Sequence, residues 1–155
     1  VIEDAVLAKS EAERAAFWAI RDSSGELERM FGQCVTFDVS VPVGRIETFI
    51  DECRVELARA VPGARALVFG HIADSNIHLA CRTDADVQPK DAISRAVYEC
   101  VGRFAGAVSA EHGIGYDKKA YLGLSRSASE IGVMKAVKRA LDPHGILNPG
   151  KLLPD

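Results

Sequence analysis

Val35, Phe37, Val39 and Val41 alternate with Thr36, Asp38 and Ser40. That period-two pattern predicts a strand with one buried face, closed by Pro42. From Gly44 to Ala60 the spacing changes. Ile46, Phe49, Ile50, Cys53 and Leu57 now share one helical face, and Pro62-Gly63 stops the run. A second strand over about 66–72 and a third over about 77–82 flank Asp74-Ser75-Asn76, whose turn chemistry predicts a hairpin. Ile93, Ala96, Val97, Cys100, Val101 and Phe104 mark another amphipathic helix, opened by Pro89 and ended near Gly106; a short apolar segment at 107–109 then leads into Glu111. Capping-box patterns announce two more helices. Ser10-x-x-Glu13 opens one that runs to about Arg21, where Asp22-Ser23-Ser24-Gly25 weakens the signal. Ser127-x-x-Glu130 opens the other, with Ile131, Met134, Val137 and Leu141 on its face, Lys135, Lys138 and Arg139 toward its dipole-negative end, and Pro143 and Gly145 beyond it. Helices interleaved with few, hairpin-connected strands predict an α+β fold, an antiparallel sheet with helices on one face in a ferredoxin-like arrangement.

Composition narrows this picture. At 155 residues and 48% hydrophobic content the chain supports one sizeable core, so 1–155 is expected to be a single domain. A net charge of -3 gives no electrostatic case for nucleic acid or an anionic membrane. No apolar run approaches a membrane span, and the acidic start Val1-Ile2-Glu3-Asp4 lacks the basic region of a secretion signal, so a soluble, cytoplasmic protein is expected. Cys34, Cys53, Cys81 and Cys100 are widely spaced with no C-x-x-C pair, which predicts reduced, mostly buried thiols. The chain begins at Val1 rather than Met, as a fragment or a processed chain would.

Three of the four histidines fall in two short segments, 70–78 and 109–115. A hairpin centred between Asp74 and Ser75 pairs positions that sum to 149, placing His71 opposite His78. Directly opposed residues have Cβ atoms roughly 4.5–5.5 Å apart, close enough for both imidazoles to meet one ion at about 2.0–2.1 Å. On a helix the same spacing would separate them by roughly 10 Å. Two unrelated histidines in a polar hairpin is the alternative. Glu111-His112 cannot easily put both side chains on one ion if extended, because successive residues point apart. Glu111 therefore suits a hard oxygen ligand completing a His-His-Glu set with an open position, and His112, an imidazole, suits a base near neutral pH. A surface loop with a chance carboxylate is the competing reading. Gly113-x-Gly115 is not a dinucleotide fingerprint, since Lys118 stands at the third glycine position and no alternating βαβ unit surrounds it. From these residues alone, a metal-dependent hydrolase with His112 as base and a non-catalytic small-ligand binding module both remain open.

Trp18-Ala19-Ile20-Arg21, Phe37-Asp38-Val39-Ser40-Val41-Pro42, the stretch 70–78, the stretch 109–115 with Lys118, and the closing Leu141-Asp142-Pro143-His144-Gly145-Ile146-Leu147-Asn148-Pro149-Gly150-Lys151 occur in this order over nearly the whole chain. Together they resemble the carboxy-terminal domain of FAD-linked 2-hydroxyacid dehydrogenases and oxidases, which include D-lactate and D-2-hydroxyglutarate dehydrogenases and the flavin subunit of glycolate oxidase. The resemblance implies that His71, His78 and Glu111 bind a divalent metal, zinc or manganese. It implies that His112 takes the hydroxyl proton as hydride leaves the substrate for FAD, that Arg21 grips a substrate carboxylate, and that Asn148 lies near the flavin. It also implies a partner, an amino-terminal domain that binds most of the FAD, without which this piece is expected to be inactive; a homodimer is left open. Two departures matter. Ala73-Asp74-Ser75-Asn76 replaces the family's Gly-Asp-Gly-Asn, and Gly25, Thr36 and Ala80 stand where 2-hydroxyglutarate enzymes carry threonine, lysine and asparagine. A smaller monocarboxylate or one with an uncharged side chain, such as lactate, glycolate or a longer 2-hydroxy acid, is expected over 2-hydroxyglutarate.

Overall fold

The structure is a computed structural model of the chain and describes residues 5–154; the acidic start Val1-Ile2-Glu3-Asp4 lies outside them. The chain divides between Gln33 and Cys34 into two compact units. The first contains α1 (Glu11–Arg21) and α2 (Ser24–Phe31). Ser10 caps α1 as its sequence predicts, accepting the Glu13 N–H at 3.2 Å. The second helix was hidden by Ser23, Ser24 and Gly25, which read as turn residues. It starts because the Ser23 carbonyl accepts the N–H groups of Glu26 and Leu27, and it stops at Gly32, whose φ of 89° only glycine adopts readily.

In the second unit β1 (Val35–Ser40), α3 (Ile46–Ala60), β2 (Arg65–His71), β3 (Asn76–Arg82), α4 (Lys90–Arg103) and α5 (Ala128–Leu141) follow in chain order. The three strands form one sheet in the order β1-β3-β2, antiparallel throughout. This is an α+β fold. Strand alternation decides its two faces. Phe37 and Val39 of β1 and Ile77, Leu79 and Cys81 of β3 point to one side and pack with Phe49, Cys53 and Leu57 of α3 and Ile93, Val97, Cys100 and Val101 of α4. On the opposite face lie Asp38, His78, Phe69, His71 and Asn76.

Where a ferredoxin-like sheet would add a fourth strand beside β1, the described residues form a single antiparallel bridge, Ser40 to Ala107, with N···O distances of 3.1 and 2.9 Å. Gly106 makes that approach feasible, since a Cβ there would stand 2.3 Å from the Ser40 carbonyl oxygen. After the bridge the chain leaves the sheet and crosses its open face as an irregular loop.

The hairpin also differs from its expected register. His71 pairs with Asn76 and Phe69 with His78, so paired positions sum to 147 rather than 149. A 3₁₀ turn at Ile72–Asp74 followed by Ser75 at φ 60° makes a four-residue connection centred one position earlier than Asp74-Ser75. Gly70 accommodates it: a Cβ there would lie 2.2 Å from the Asn76 carbonyl oxygen. Cys53, Cys81 and Cys100 are buried thiols. Burial pushes the Cys81 thiol up to about 12, so it is chemically quiet at neutral pH. Among the described residues no helix is long and apolar enough to cross a membrane.

Candidate functional site

Parity brings the two histidines together despite the shifted register. Any odd sum of paired positions leaves His71 and His78 on the same face, directly opposed for 149 and diagonal for 147. Their ring centroids are 5.6 Å apart with planes at 73°. Phe69, opposite His78 on β2, sets its ring 5.2 Å from that imidazole. Asp38 is opposite His78 on β1.

Glu111 reaches these imidazoles from the loop crossing the sheet. One carboxylate oxygen is 3.8 Å from His71 Nδ1 and the other 3.9 Å from His78 Nε2. Ligand atoms from all three residues lie within 4.8 Å of one another. Metal–ligand bonds of about 2.0–2.1 Å in a tetrahedron need ligand atoms roughly 3.3 Å apart, so each carboxylate gap would close by roughly 0.5 Å around an ion. Two imidazoles and one carboxylate, with the remaining directions open, are a donor set that fits zinc or manganese.

His112 lies beside this cluster. Its ring stacks toward His78 at a centroid distance of 5.9 Å and 24° between planes. Its Nδ1 is 3.7 Å from Asp38 Oδ2 and its Nε2 is 3.9 Å from Glu111 Oε2, both beyond hydrogen-bond length. With 66% of its side chain accessible, it is open to an incoming molecule.

Asp38 is the residue that pattern reading missed. Only 2% exposed, its carboxylate accepts the backbone N–H groups of Ala110, Glu111 and His112 at 3.2, 3.0 and 2.9 Å. The Ser109 hydroxyl and the Lys118 ammonium complete the set at 3.1 and 3.3 Å. Burial alone would raise its pKa; the N–H groups of His112 and Glu111 and the positive charge of Lys118 outweigh that and hold it at about 2. Asp38, Glu111 and His112 also come close enough to suggest an ion site. The donors converge on Oδ2, however, while Oδ1 accepts only the Glu111 N–H at 3.1 Å, so the carboxylate is turned toward the loop backbone. Lys118 also donates to Ser109 Oγ at 2.8 Å. Asp is depleted in strands, and its presence between Phe37 and Val39 was the available signal.

Arg21 and Asn148 belong to other segments of the chain. Arg21 ends α1 in the first unit, pairs with Asp22 at 3.0 Å and lies over the Trp18 ring at 5.5 Å. Asn148 sits at φ 47° in the loop after α5, where its carbonyl accepts the Lys151 N–H at 3.3 Å.

Comparison with known proteins agrees with the motifs. A D-2-hydroxyglutarate dehydrogenase of Xanthomonas citri pv. viticola is 38% identical over 157 residues, covering 97% of this chain and 33% of that protein. One from Stutzerimonas stutzeri is 36% identical over 96% of this chain and 33% of its own length. The mitochondrial enzyme of Bos taurus is 35% identical over 99% of this chain and 28% of its own. The chain thus spans about a third of the length of the curated relatives it matches. The family described as FAD linked oxidases, C-terminal domain, matches residues 1–152, and this chain belongs to it.

Proposed function

We propose that this chain is the substrate- and metal-binding part of an FAD-dependent dehydrogenase that oxidises a 2-hydroxy acid to a 2-oxo acid. The observation that carries this reading is the convergence of His71, His78 and Glu111 beside an accessible His112 in a member of that family. When bound, a divalent cation would supply electrophilic pull on the substrate hydroxyl, and FAD a two-electron acceptor. His71, His78 and Glu111 hold the first and leave open directions where an alcohol and its carboxylate fit. His112 takes the hydroxyl proton, which prepares the Cα–H to leave as hydride. Arg21 binds the substrate carboxylate through its planar guanidinium. Asn148 faces the flavin, most of which is held by an amino-terminal FAD-binding domain in the remaining length of the protein. Buried thiols at Cys53, Cys81 and Cys100 suit a reducing compartment, and we assign the cytoplasm.

The relatives are named for 2-hydroxyglutarate, but this chain's residues favour a smaller acid. The next rung on the face of Phe69–His78–Asp38 is Leu67–Ala80–Thr36, with no charge to meet a second carboxylate. The full-length protein should show flavin absorbance that bleaches with D-lactate or glycolate at lower concentration than with D-2-hydroxyglutarate. Absence of bleaching by every 2-hydroxy acid tried would end the dehydrogenase reading; preference for 2-hydroxyglutarate would end only the substrate assignment.

A further inference from the structure

Glu111 and His112 sit on a stretch with no helix or strand to hold it. Between the bridge at Ala107 and a 3₁₀ segment at Lys119–Leu124 the chain is irregular, with Gly113 and Gly115 at φ 75° and 57°. Such a loop has many accessible conformations and would not by itself keep a carboxylate within 4 Å of two imidazoles. Three consecutive N–H groups nevertheless converge on one buried acceptor.

We propose that Asp38 is the positioning residue of the site: its carboxylate, braced by Lys118 and Ser109, fixes the backbone of Glu111 and His112 against the strand rung that carries His78. The argument rests on the sheet register. Asp38 is the direct cross-strand neighbour of His78, so the group that grips the loop and the imidazole that faces Glu111 share one rung of the ladder. The Ala110 N–H also reaches the Asp38 carbonyl oxygen at 3.2 Å, tying the loop to backbone as well as side chain. Lys118 is 13% exposed and donates to both Asp38 and Ser109, neutralising the buried charge and orienting the carboxylate. At 2% exposed, and with the loop N–H groups gathered on Oδ2, Asp38 is screened from an incoming molecule. It acts through the loop, as outer-shell partners of metal ligands do, whose loss typically costs about 10- to 100-fold in metal affinity.

This inference rests on the metal reading above, and two readouts on the full-length protein separate them. Amide exchange reports the clamp without any metal: Asp38→Asn should speed exchange at 110–112 while leaving β2 and α3 protected. Unchanged exchange there would overturn the proposal. Titration with Co²⁺, followed by its visible absorption, reports positioning, and Asp38→Asn should weaken binding by about 10- to 100-fold and change the band shape. If the unaltered protein binds Co²⁺ and the folded variant binds it equally well with the same spectrum, the positioning role is wrong and the metal reading survives. If the unaltered protein takes up no Co²⁺, both fall. Should Asp38→Asn fail to fold, Lys118→Gln decides by the same two measurements, with the same direction and smaller size.

Discussion

Asp38 and Asp142 perform the same physical act in different settings. Both are nearly buried, at 2% and 7% exposed, and each gathers backbone N–H groups from an irregular segment while a lysine balances its charge. Asp142 accepts the N–H groups of Ile146 and Leu147, each at 2.9 Å, and bonds the Lys138 ammonium. Everything Asp142 binds lies within five residues of it. Asp38 instead binds a loop more than seventy positions away, in the part of the chain that carries Glu111 and His112. The difference is one of reach. A local clamp shapes the end of α5, whereas a long-range clamp joins two distant segments and sets the distance between functional groups.

The largest test of that contrast is removal of each carboxylate. Asp38→Ala strands the Lys118 ammonium and three N–H groups in a buried place, and should cost about 3–5 kcal/mol in urea denaturation. Asp142→Ala should cost clearly less, and its faster amide exchange should be confined to 146 and 147. Equal losses would erase the distinction.

Acid should probe the same carboxylate. Asp38 is held at about 2, below its ordinary 3.8. A carboxyl whose folded pKa is depressed contributes stability above its unfolded value and loses it as pH falls toward the folded one. The stability gap between the unaltered protein and Asp38→Asn should therefore be constant above about pH 5 and narrow between about pH 4 and 2, which denaturation curves at stepped pH would measure.

Smaller effects sharpen the comparison further. Ser109→Ala removes one of five donors to Asp38 and should cost about 0.5–1.5 kcal/mol by chemical denaturation. Asp142→Asn should leave the Co²⁺ affinity of the full-length protein within about twofold, since its loop contributes no member of the His71–His78–Glu111 cluster.

The same contrast between local and distant explains what sequence reading could reach. The helix caps at Ser10 and Ser127 follow from residues three positions apart, and both formed, the second with the Glu130 carboxylate accepting the Ser127 N–H at 2.7 Å. β1 and the inward faces of α3 and α4 follow from periodicity. Its limits are equally physical. The second helix opens with residues that favour turns, and pairing arithmetic cannot see the 3₁₀ turn that moved the hairpin register. Asp38 occupies the polar phase of an alternating strand, which reads as solvent-facing until a distant loop covers it. The histidine pair was readable because it depends on parity alone; its clamp was not, because burial by a remote segment leaves little local trace.

That dependence on parity constrains how the hairpin can change. Lengthening or shortening the connection at 72–75 by two residues keeps both imidazoles outward, with the strands merely sliding along each other. A single insertion or deletion cannot be absorbed that way. Either one imidazole turns into the apolar layer among Phe37, Leu79 and Val97, or the change is taken up outside the ladder, in the turn or as a bulge. What the imidazole pair requires is the strand pairing itself, so a connection that changes length outside the ladder leaves it intact, whereas a slip of one residue sends the two rings to opposite faces.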